Sequence, residues 1–352
     1  MTTFQFCSAG RPRRTAWAWL MVAACGLVGT LPTARAEKAL RINLGTLAPR
    51  GSVYHQSLQA MAEAWRQAPE GGVRLVIYPD GTQGGEADMV RLMRVGTLQA
   101  GLFTAVGLSE IEPGTTGLQD VPMLFRNLEE FEYVNEKLRP MLEKRLADKG
   151  FIVLFWVDAG WVRFFSRKPV TTPNDLKSMK LFVWAGNADE VSIVQRAGFN
   201  PVPLETGDIL PGLQTGLVDA VAVPPIFALA GQLDTRAPHM LNLNWAPLVG
   251  ACIVKKDVWE KIPSATREAL LAAAEKAGKE IRKNSRKESD EAVAAMKKRG
   301  LKVQEVTPAV EQQWRAVAEK AYPEIRAKII PTDVFDEVQR LIQEYRAAGG
   351  KK

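Results

Sequence analysis

Two spacings of apolar residues alternate along residues 40–106, and each spacing is typical of one kind of secondary structure. Apolar residues at every second position predict half-buried strands at 40–44 and 73–77, and a third strand follows at 100–106. Helical spacing between these strands predicts one helix that carries Tyr54, Leu58, Met61 and Trp65 and a second over 86–95. This strand–helix order favours a mainly parallel sheet covered by helices.

A second group of alternating elements follows. Residues 151–157 are apolar on both faces, as in the central strand of a sheet. Further strands are predicted near 161–165, 179–184 and 218–223, with helices near 187–197 and 206–215. A helix end, a glycine and a strand follow one another at 93–100 and again at 213–220, which predicts two lobes of similar construction.

The last third of the chain predicts a return to the first lobe and then long helices. The apolar run 248–254 has no place in the second group, so we interpret it as a strand of the first lobe. Helical patterns over 257–299, 308–321 and 332–347 are expected to brace both lobes across a hinge. We therefore assign lobe I to 37–159 plus 248–288, and lobe II to 160–247 plus 289–350.

Composition agrees with an α/β fold of two lobes. The chain has 352 residues, of which 46% are hydrophobic and 24% are charged, so it is not a disordered chain. At about 150 residues per domain, this length favours two lobes over one core. Scattered Gly and Pro and only 3 Cys exclude collagen-like proteins and disulfide scaffolds.

Residues 1–36 have the pattern of an export signal, which predicts a periplasmic protein. Arg11, Arg13 and Arg14 precede an uncharged apolar stretch, and the small residues Ala34 and Ala36 suit signal peptidase. Processing as a lipoprotein at Cys25 is an alternative, because the preceding residues resemble a lipobox. A transmembrane anchor is a further alternative, although the stretch is short for a membrane span.

Removal of the signal weakens the case for a polyanionic partner. Residues 1–36 contain four Arg and no Asp or Glu, so the net charge falls from +7 to +3. The basic stretch at 282–287 lies in a helical pattern and is followed by acidic residues, so we interpret it as a solvated helix face. We expect no binding to nucleic acid.

Cysteine and histidine are too few and too scattered for most catalytic or metal sites. Outside the signal, Cys252 is the only cysteine, and its apolar neighbours predict a buried thiol. His55 and His239 are the only histidines and lack zinc-ligand spacing. The sequence contains no nucleophile elbow, Walker loop or dinucleotide-binding fingerprint. We expect a binding protein without catalytic residues, metal or cofactor.

Five segments in order resemble the DctP-type extracytoplasmic solute-binding proteins of TRAP transporters, over nearly all of residues 38–345. The segments are 45–49 (GTLAP), 78–86 (YPDGTQGGE), 121–125 (VPMLF), 175–181 (DLKSMKL) and 213–220 (LQTGLVDA). The resemblance implies two α/β lobes joined by a hinge, with a solute held in the cleft. It also implies delivery of the solute to a separate membrane permease.

The sequence departs from this family at positions that the resemblance assigns to ligand binding. Phe182 stands where the family usually has an arginine that grips the ligand carboxylate, and Pro224-Pro225 stands where it often has an asparagine. A simple dicarboxylate ligand is therefore not expected. Arg163 lies one place from another position of a ligand-binding arginine. It is interpreted either as a substitute for the missing charge or as a surface strand residue.

Aromatic residues cluster near the same segments, and we predict that some of them line the cleft. Phe182 and Trp184 alternate on a strand and therefore point to one face. Glu86 and Thr104 match first-lobe positions that hydrogen-bond ligand in relatives, although Glu86 is equally suited to cap a helix. The candidate ligand-binding residues are Glu86, Thr104, Trp161, Arg163, Phe182, Trp184, Pro224 and Trp245.

These observations predict a monomeric periplasmic solute-binding protein that serves a TRAP-type permease. The expected solute is small, organic and apolar or aromatic, and it can still carry a carboxylate. One alternative is a binding protein that reports to a sensor or receptor. Another is a periplasmic carrier of a hydrophobic molecule, or an enzyme, built on the same scaffold.

Overall fold

The computed structural model describes residues 40–185 and 187–349. The export signal predicted for residues 1–36, including Cys25, lies outside the described residues. Within the described part of the chain, no helix has the length and hydrophobicity that a bilayer crossing requires.

The strands form two mixed sheets. They are β1 (Leu40–Thr46), β2 (Val73–Tyr78), β3 (Ala100–Thr104), β4 (Phe151–Trp161), β5 (Arg163–Ser166), β6 (Lys180–Trp184), β7 (Asn200–Leu204), β8 (Ala220–Val223), β9 (His239–Leu241), β10 (Pro247–Lys255) and β11 (Lys302–Gln304). The first sheet has the order β2-β1-β3-β10-β4, and the second has the order β11-β9-β5-β8-β6-β7. The fold is thus the α/β, two-lobed architecture of a periplasmic binding protein.

Helices cover both sheets. They are α1 (Val53–Arg66), α2 (Glu86–Arg94), α3 (Ala105–Ser109), α4 (Leu128–Asp148), α5 (Pro173–Lys177), α6 (Ala188–Arg196), α7 (Ile209–Thr215), α8 (Pro225–Ala230), α9 (Lys256–Trp259), α10 (Ser264–Lys298), α11 (Pro308–Lys328) and α12 (Thr332–Ala347). Short 3-10 helices lie at Pro113–Leu118, Thr206–Asp208 and Leu233–Thr235.

Local sequence signals explain where several helices begin and end. The Ser52 side chain accepts a hydrogen bond from the His55 backbone N–H at the start of α1, and Asn187 does the same for Glu190 in α6. After α2, Gly96 has a φ of 81°, which lets the chain turn through the left-handed region. The pattern over 257–299 forms two helices, α9 and α10, and Pro263 occupies the N-cap position of the second.

Strands β10 and β4 lie side by side in the first sheet, and β4 is its edge strand, so the prediction of a central strand at 151–157 is wrong. Strand β10 runs antiparallel to both β3 and β4 and is buried along almost all of its length. Cys252 is fully buried in it, as the sequence predicted, and burial raises the pKa of its thiol. The apolar character of 151–157 and 248–254 therefore reflects strands that are covered on both faces.

Within the described residues the chain passes between the sheets three times, and the first two of these crossings lie side by side. It leaves the first sheet after Trp161 and enters the second at Arg163, and it returns between Leu241 and Pro247. The two crossings are hydrogen-bonded, because the Val162 N–H donates to the Ala246 carbonyl at 2.8 Å. The predicted strand at 161–165 is therefore the end of β4 and the start of β5. The lobe boundaries assigned from the sequence stay a prediction.

Helix α10 packs against both lobes. Its first half buries Leu270 and Ile281 with the first sheet, and its second half buries Met296 with residues of the second. Gly278 permits the close approach, since a Cβ there would lie 2.7 Å from the Phe155 Cβ.

The basic stretch at 282–287 is only partly solvated, which corrects the sequence interpretation. Arg282 donates to the Trp156 carbonyl at 2.6 Å, and Arg286 pairs with Glu132 at 2.8 Å and with Asp158 at 3.3 Å. These residues face β4 because the helix lies directly on that strand, whereas Lys287 remains 75% exposed.

Candidate functional site

A cavity of about 750 Å³ is lined by residues of both lobes. The first lobe contributes Thr46 and Thr104, at the carboxyl ends of β1 and β3. The second contributes Trp184 and Pro224, at the carboxyl ends of β6 and β8. A crevice at the carboxyl ends of parallel strands is the usual ligand position in α/β folds. We call this space the larger cavity.

Glu86 and Thr104 form hydrogen bonds with each other in the wall of the larger cavity. The Glu86 carboxylate accepts from the Thr104 hydroxyl at 2.6 Å, from the Thr104 N–H at 2.7 Å and from the Gly107 N–H at 2.8 Å. Burial raises the pKa of Glu86, and these hydrogen bonds oppose that rise. The carboxylate therefore ties the start of α2 to the end of β3.

Sequence reasoning missed two aromatic residues of the larger cavity. Tyr54 and Phe227 both line it, with ring centroids 6.3 Å apart. The Tyr54 hydroxyl donates to the Asp158 carbonyl at 3.0 Å. The available signal for Tyr54 was its place in the first turn of a helix that directly follows a loop after a strand.

A second cavity of about 180 Å³ adjoins the first, since Trp184, Pro224 and Leu248 line both. We call it the smaller cavity. Phe182 and Trp245 line it, and the Phe182 and Trp184 rings meet edge to face at 5.0 Å. Phe182 is also 2% exposed and packs in the core of the second lobe. Its ring therefore serves both the core and the cavity wall.

Two carboxyl groups face the smaller cavity, and sequence reasoning missed both. Asp120 follows the 3-10 helix Pro113–Leu118 of the first lobe, and Glu190 lies in α6 of the second. Burial raises the pKa of Asp120 to about 7, against a hydrogen bond from Gln119. Burial and the nearby Asp120 raise the pKa of Glu190 to about 8. Only the tertiary structure brings these residues together.

Trp161 and Arg163 line neither of these cavities. They line a third cavity of about 290 Å³, together with Arg286, Asp290 and Glu305. Val162 and Phe164 line the smaller cavity instead, because successive side chains of an extended segment point to opposite faces. Burial lowers the pKa of Arg163 to about 10, opposed by Asp290 and Glu305, and its guanidinium donates to Asn244. The other candidate residues line the larger cavity, the smaller cavity or both, and they are Glu86, Thr104, Phe182, Trp184, Pro224 and Trp245.

The Asp, Glu, Lys, Arg and His residues that line the cleft are all acidic in the described part of the chain. No Lys, Arg or His side chain there lines the larger or the smaller cavity. Carboxyl groups line both, namely Asp80, Glu86, Asp158 and Glu205 in the larger and Asp120 and Glu190 in the smaller. Two of them are already paired, because Asp80 lies 3.4 Å from Arg50 and Asp158 lies 3.3 Å from Arg286. Among residues 40–185 and 187–349, no group of His, Cys, Asp and Glu has the geometry of a metal site.

Comparison with known proteins identifies the architecture. The family model of bacterial extracellular solute-binding proteins, family 7 (DctP), matches residues 44–329. The 2,3-diketo-L-gulonate-binding periplasmic protein YiaO of Escherichia coli K12 is 25% identical over 283 residues, which cover 79% of this chain and 84% of YiaO.

Two solved structures have the same fold. A TRAP periplasmic solute-binding protein from Chromohalobacter salexigens, with bound D-glucuronate, is 21% identical at a TM-score of 0.79 and covers 86% of this chain and 99% of its own. The sugar acid binding protein DctPAm from Advenella mimigardefordensis, in complex with galactonate, is 19% identical at a TM-score of 0.81, with coverage of 87% and 99%. The compounds named for these relatives are polar carboxylic acids or their anions.

Proposed function

Because this chain belongs to the DctP-type family of bacterial extracellular solute-binding proteins, we propose that it captures a small organic solute in its cleft for a TRAP-type membrane permease. The observation that carries this proposal is the larger cavity, whose walls come from the carboxyl ends of strands in both sheets. In this proposal the protein acts in the periplasm as a monomer and does not catalyse a reaction of the solute.

Closure of the lobes follows from where the solute would lie. A solute that contacts both walls gains more binding free energy in the closed form, so it shifts the population toward closure. The paired crossings at Val162 and Ala246 are suited to bend, while α10 spans both lobes. The permease would then recognise the surface that closure forms.

The body of the solute is apolar or aromatic in this proposal, unlike the sugar acids named for the relatives. Phe182, Trp184 and Trp245 supply rings at the smaller cavity, and Tyr54 and Phe227 supply rings at the larger. Stacked or edge-to-face rings favour flat apolar groups by about 1 kcal/mol per pair beyond buried area. Glu86 and Thr104 shape the wall and make their hydrogen bonds with each other.

Small molecules that co-purify with the mature protein would test this proposal. We expect native mass spectrometry to find one bound organic compound. Its re-addition to stripped protein should change tryptophan fluorescence and reduce the radius of gyration in solution scattering. A compound that is chemically altered during incubation would show an enzyme instead. Absence of any bound or re-bound small molecule would contradict the proposal.

Phe182→Arg tests the preference for an apolar body. The variant places a guanidinium beside the acidic residues of the smaller cavity, so it should weaken the native solute about tenfold or more. Phe182→Leu is the matched control, because it changes size but adds no charge. Tight succinate binding by the unmodified protein, with no change in Phe182→Arg, would show that the cleft is not selective for apolar groups.

A further inference from the structure

We propose that the smaller cavity binds a hydrocarbon tail of the solute, and that the solute is an organic acid whose polar groups lie in the larger cavity. This inference rests on the proposed function, since it names the solute class of the same cleft. It also names the part of the protein that limits the size of the tail, which is the wall formed by α11.

The position of the smaller cavity makes it accessible to one end of a solute in the cleft. Trp184, Pro224 and Leu248 line both cavities, so the two spaces adjoin. The smaller cavity also has walls from both lobes, with Val106 in the first and Phe182 in the second. A tail that fills it therefore contacts both lobes and adds to the free energy that favours closure.

The wall of the smaller cavity consists mainly of hydrocarbon side chains. Within the described residues, the polar groups that line it belong to Gln119, Asp120, Glu190 and the ring N–H groups of two tryptophans. Gln119 is occupied by the protein itself, because its amide donates to Asp120 at 3.3 Å and accepts from the Val249 N–H at 3.0 Å. Such a wall gains contacts from a hydrocarbon group and offers few partners to a sugar hydroxyl.

The size of the smaller cavity sets the size of the tail. Its volume is about 180 Å³. An apolar cavity of about 150 Å³ in a protein interior stays free of water and binds benzene. The smaller cavity therefore has room for a phenyl ring or for an alkyl chain of similar volume.

The acidic residues of the larger cavity leave a place for the carboxylate of such a solute. Of the four carboxyl groups that the described residues contribute there, two are paired with arginines, and Glu86 accepts three hydrogen bonds from the protein. Thr46 and Thr206 line the same cavity from opposite lobes, and a hydroxyl group can donate to a carboxylate. The head group then lies between the lobes while the tail extends past Trp184.

Helix α11 limits the space for the tail. Val317, Ala318 and Ala321 line the smaller cavity and do not line the larger one. Ala318 is 2% exposed and tightly surrounded, whereas Ala321 is only partly buried. A longer side chain at Ala321 would therefore occupy space that the tail needs, and a shorter one at Val317 would extend that space.

The two titratable side chains of this wall are compatible with a hydrocarbon tail near pH 6. Among the described residues that line the cavity these are Asp120 and Glu190. Burial raises the pKa of Asp120 to about 7, and burial together with Asp120 raises that of Glu190 to about 8. Both are therefore largely uncharged near pH 6. At about pH 9 they are ionised and retain water, so the preference for a tail should decrease.

Isothermal titration of the stripped mature protein near pH 6 would test the inference. Hexanoate and gluconate are matched probes, because both are six-carbon carboxylates and differ in their hydroxyl groups. We expect hexanoate to bind more tightly by about tenfold or more. From butanoate to hexanoate, the affinity should rise about fourfold for each added methylene, because each one is buried.

Ala321→Leu should weaken hexanoate about tenfold and change butanoate by less than about twofold, because only the longer chain reaches α11. Val317→Ala should shift the preferred chain from hexanoate toward octanoate, and it tests the same wall if the first variant does not fold. Ala316→Leu is the matched control, since Ala316 is exposed on the same helix and does not line the cavity. An equal loss for butanoate and hexanoate in Ala321→Leu, or the same loss in Ala316→Leu, would overturn the inference.

The remaining outcomes separate this inference from the proposed function. Binding of gluconate as tight as that of hexanoate, or a co-purified solute without a hydrocarbon tail, would overturn the tail site and leave a solute-binding protein. Failure of every tailed acid to bind would overturn it as well. If, in addition, no solute co-purified with the protein, the proposed function would fail too.

Discussion

The two faces of the segment 161–164 border two cavities that differ in their charged residues. On one face, the third cavity brings Arg163, Arg286 and Lys297 together with Asp290 and Glu305. On the other, the smaller cavity holds Asp120 and Glu190 and no basic residue of the described chain. The first arrangement is balanced by residues of the chain itself, whereas the second is left for protons or a ligand to balance.

The segment 161–164 therefore separates a cavity with charged residues of both signs from a cavity whose charged residue types are only acidic, within the described residues. The paired charges hold α10 against β4 and α4, because Arg286 reaches both Asp158 and Glu132. Residues already paired this way are poor candidates for ligand contact. Asp120 and Glu190, which have no basic partner in the smaller cavity, are better candidates for ligand contact. No signal in the sequence identified them.

The largest expected effect is a pH dependence of stability that arises from Asp120 and Glu190 in the smaller cavity. The pKa values of Asp120 and Glu190 rise to about 7 and about 8 in the folded protein, from ordinary values near 4. Between about pH 4 and pH 8 the native state therefore holds protons that the unfolded state has lost. The free energy of unfolding should fall through this window, on the order of 4 kcal/mol between pH 5 and pH 8.

Urea unfolding at several pH values would measure this dependence. The double variant with Asp120→Asn and Glu190→Gln should have a much flatter profile, because amides do not titrate. The exposed pair Asp189→Asn and Asp208→Asn is the control and should keep the slope. A double variant with the slope of the unmodified protein would assign the pH dependence to other groups.

Loss of the Arg286 ion pairs should produce the next largest effect on stability. Arg286→Ala leaves the Asp158 carboxylate, which is 2% exposed, without its ion-pair partner. We expect a loss of about 3 kcal/mol in the free energy of unfolding, since an uncompensated buried charge is costly. Lys287→Ala, at an exposed position of the same helix, should change it by less than about 0.5 kcal/mol. Equal losses in the two variants would show that the Arg286 pairs contribute little.

The smallest effect should come from Arg163 on ligand binding. Arg163→Gln removes a charge beside Asn244 on the face away from the cleft. The dissociation constant of the co-purified solute should change by less than about twofold, whatever happens to thermal stability. A tenfold weakening would indicate that Arg163 does supply the charge missing at Phe182, and the comparison between the two faces would then fail.

Most of the fold was predictable because its signals are local. Alternating apolar positions marked β1 and β2, and helical spacing marked α1 and α2, with Gly96 at the end of α2. The strand at 247–255 was also visible, since a run buried on both faces is apolar at every position. The break at Pro263 and the division at Val162 were less visible, because strong patterns continue on either side.

The candidate site was predictable only in part. Trp184 and Pro224 lie at strand ends, where α/β folds commonly place a ligand, so the sequence pointed to the edge of the sheet that borders the larger cavity. Glu86 and Thr104 also reach this edge, but their mutual hydrogen bonds could not be seen in the sequence. Asp120 and Glu190 are 70 positions apart in ordinary-looking segments, and nothing local links them.

The sequence by itself determined the elements, their order and the return of the chain to its first sheet, because periodicity and turn residues act over a few neighbouring positions. The tertiary structure decided which side chains share the cleft and which charges are already paired. The reason is that burial, and with it the pKa of a carboxyl group, depends on segments from both lobes that meet only after folding.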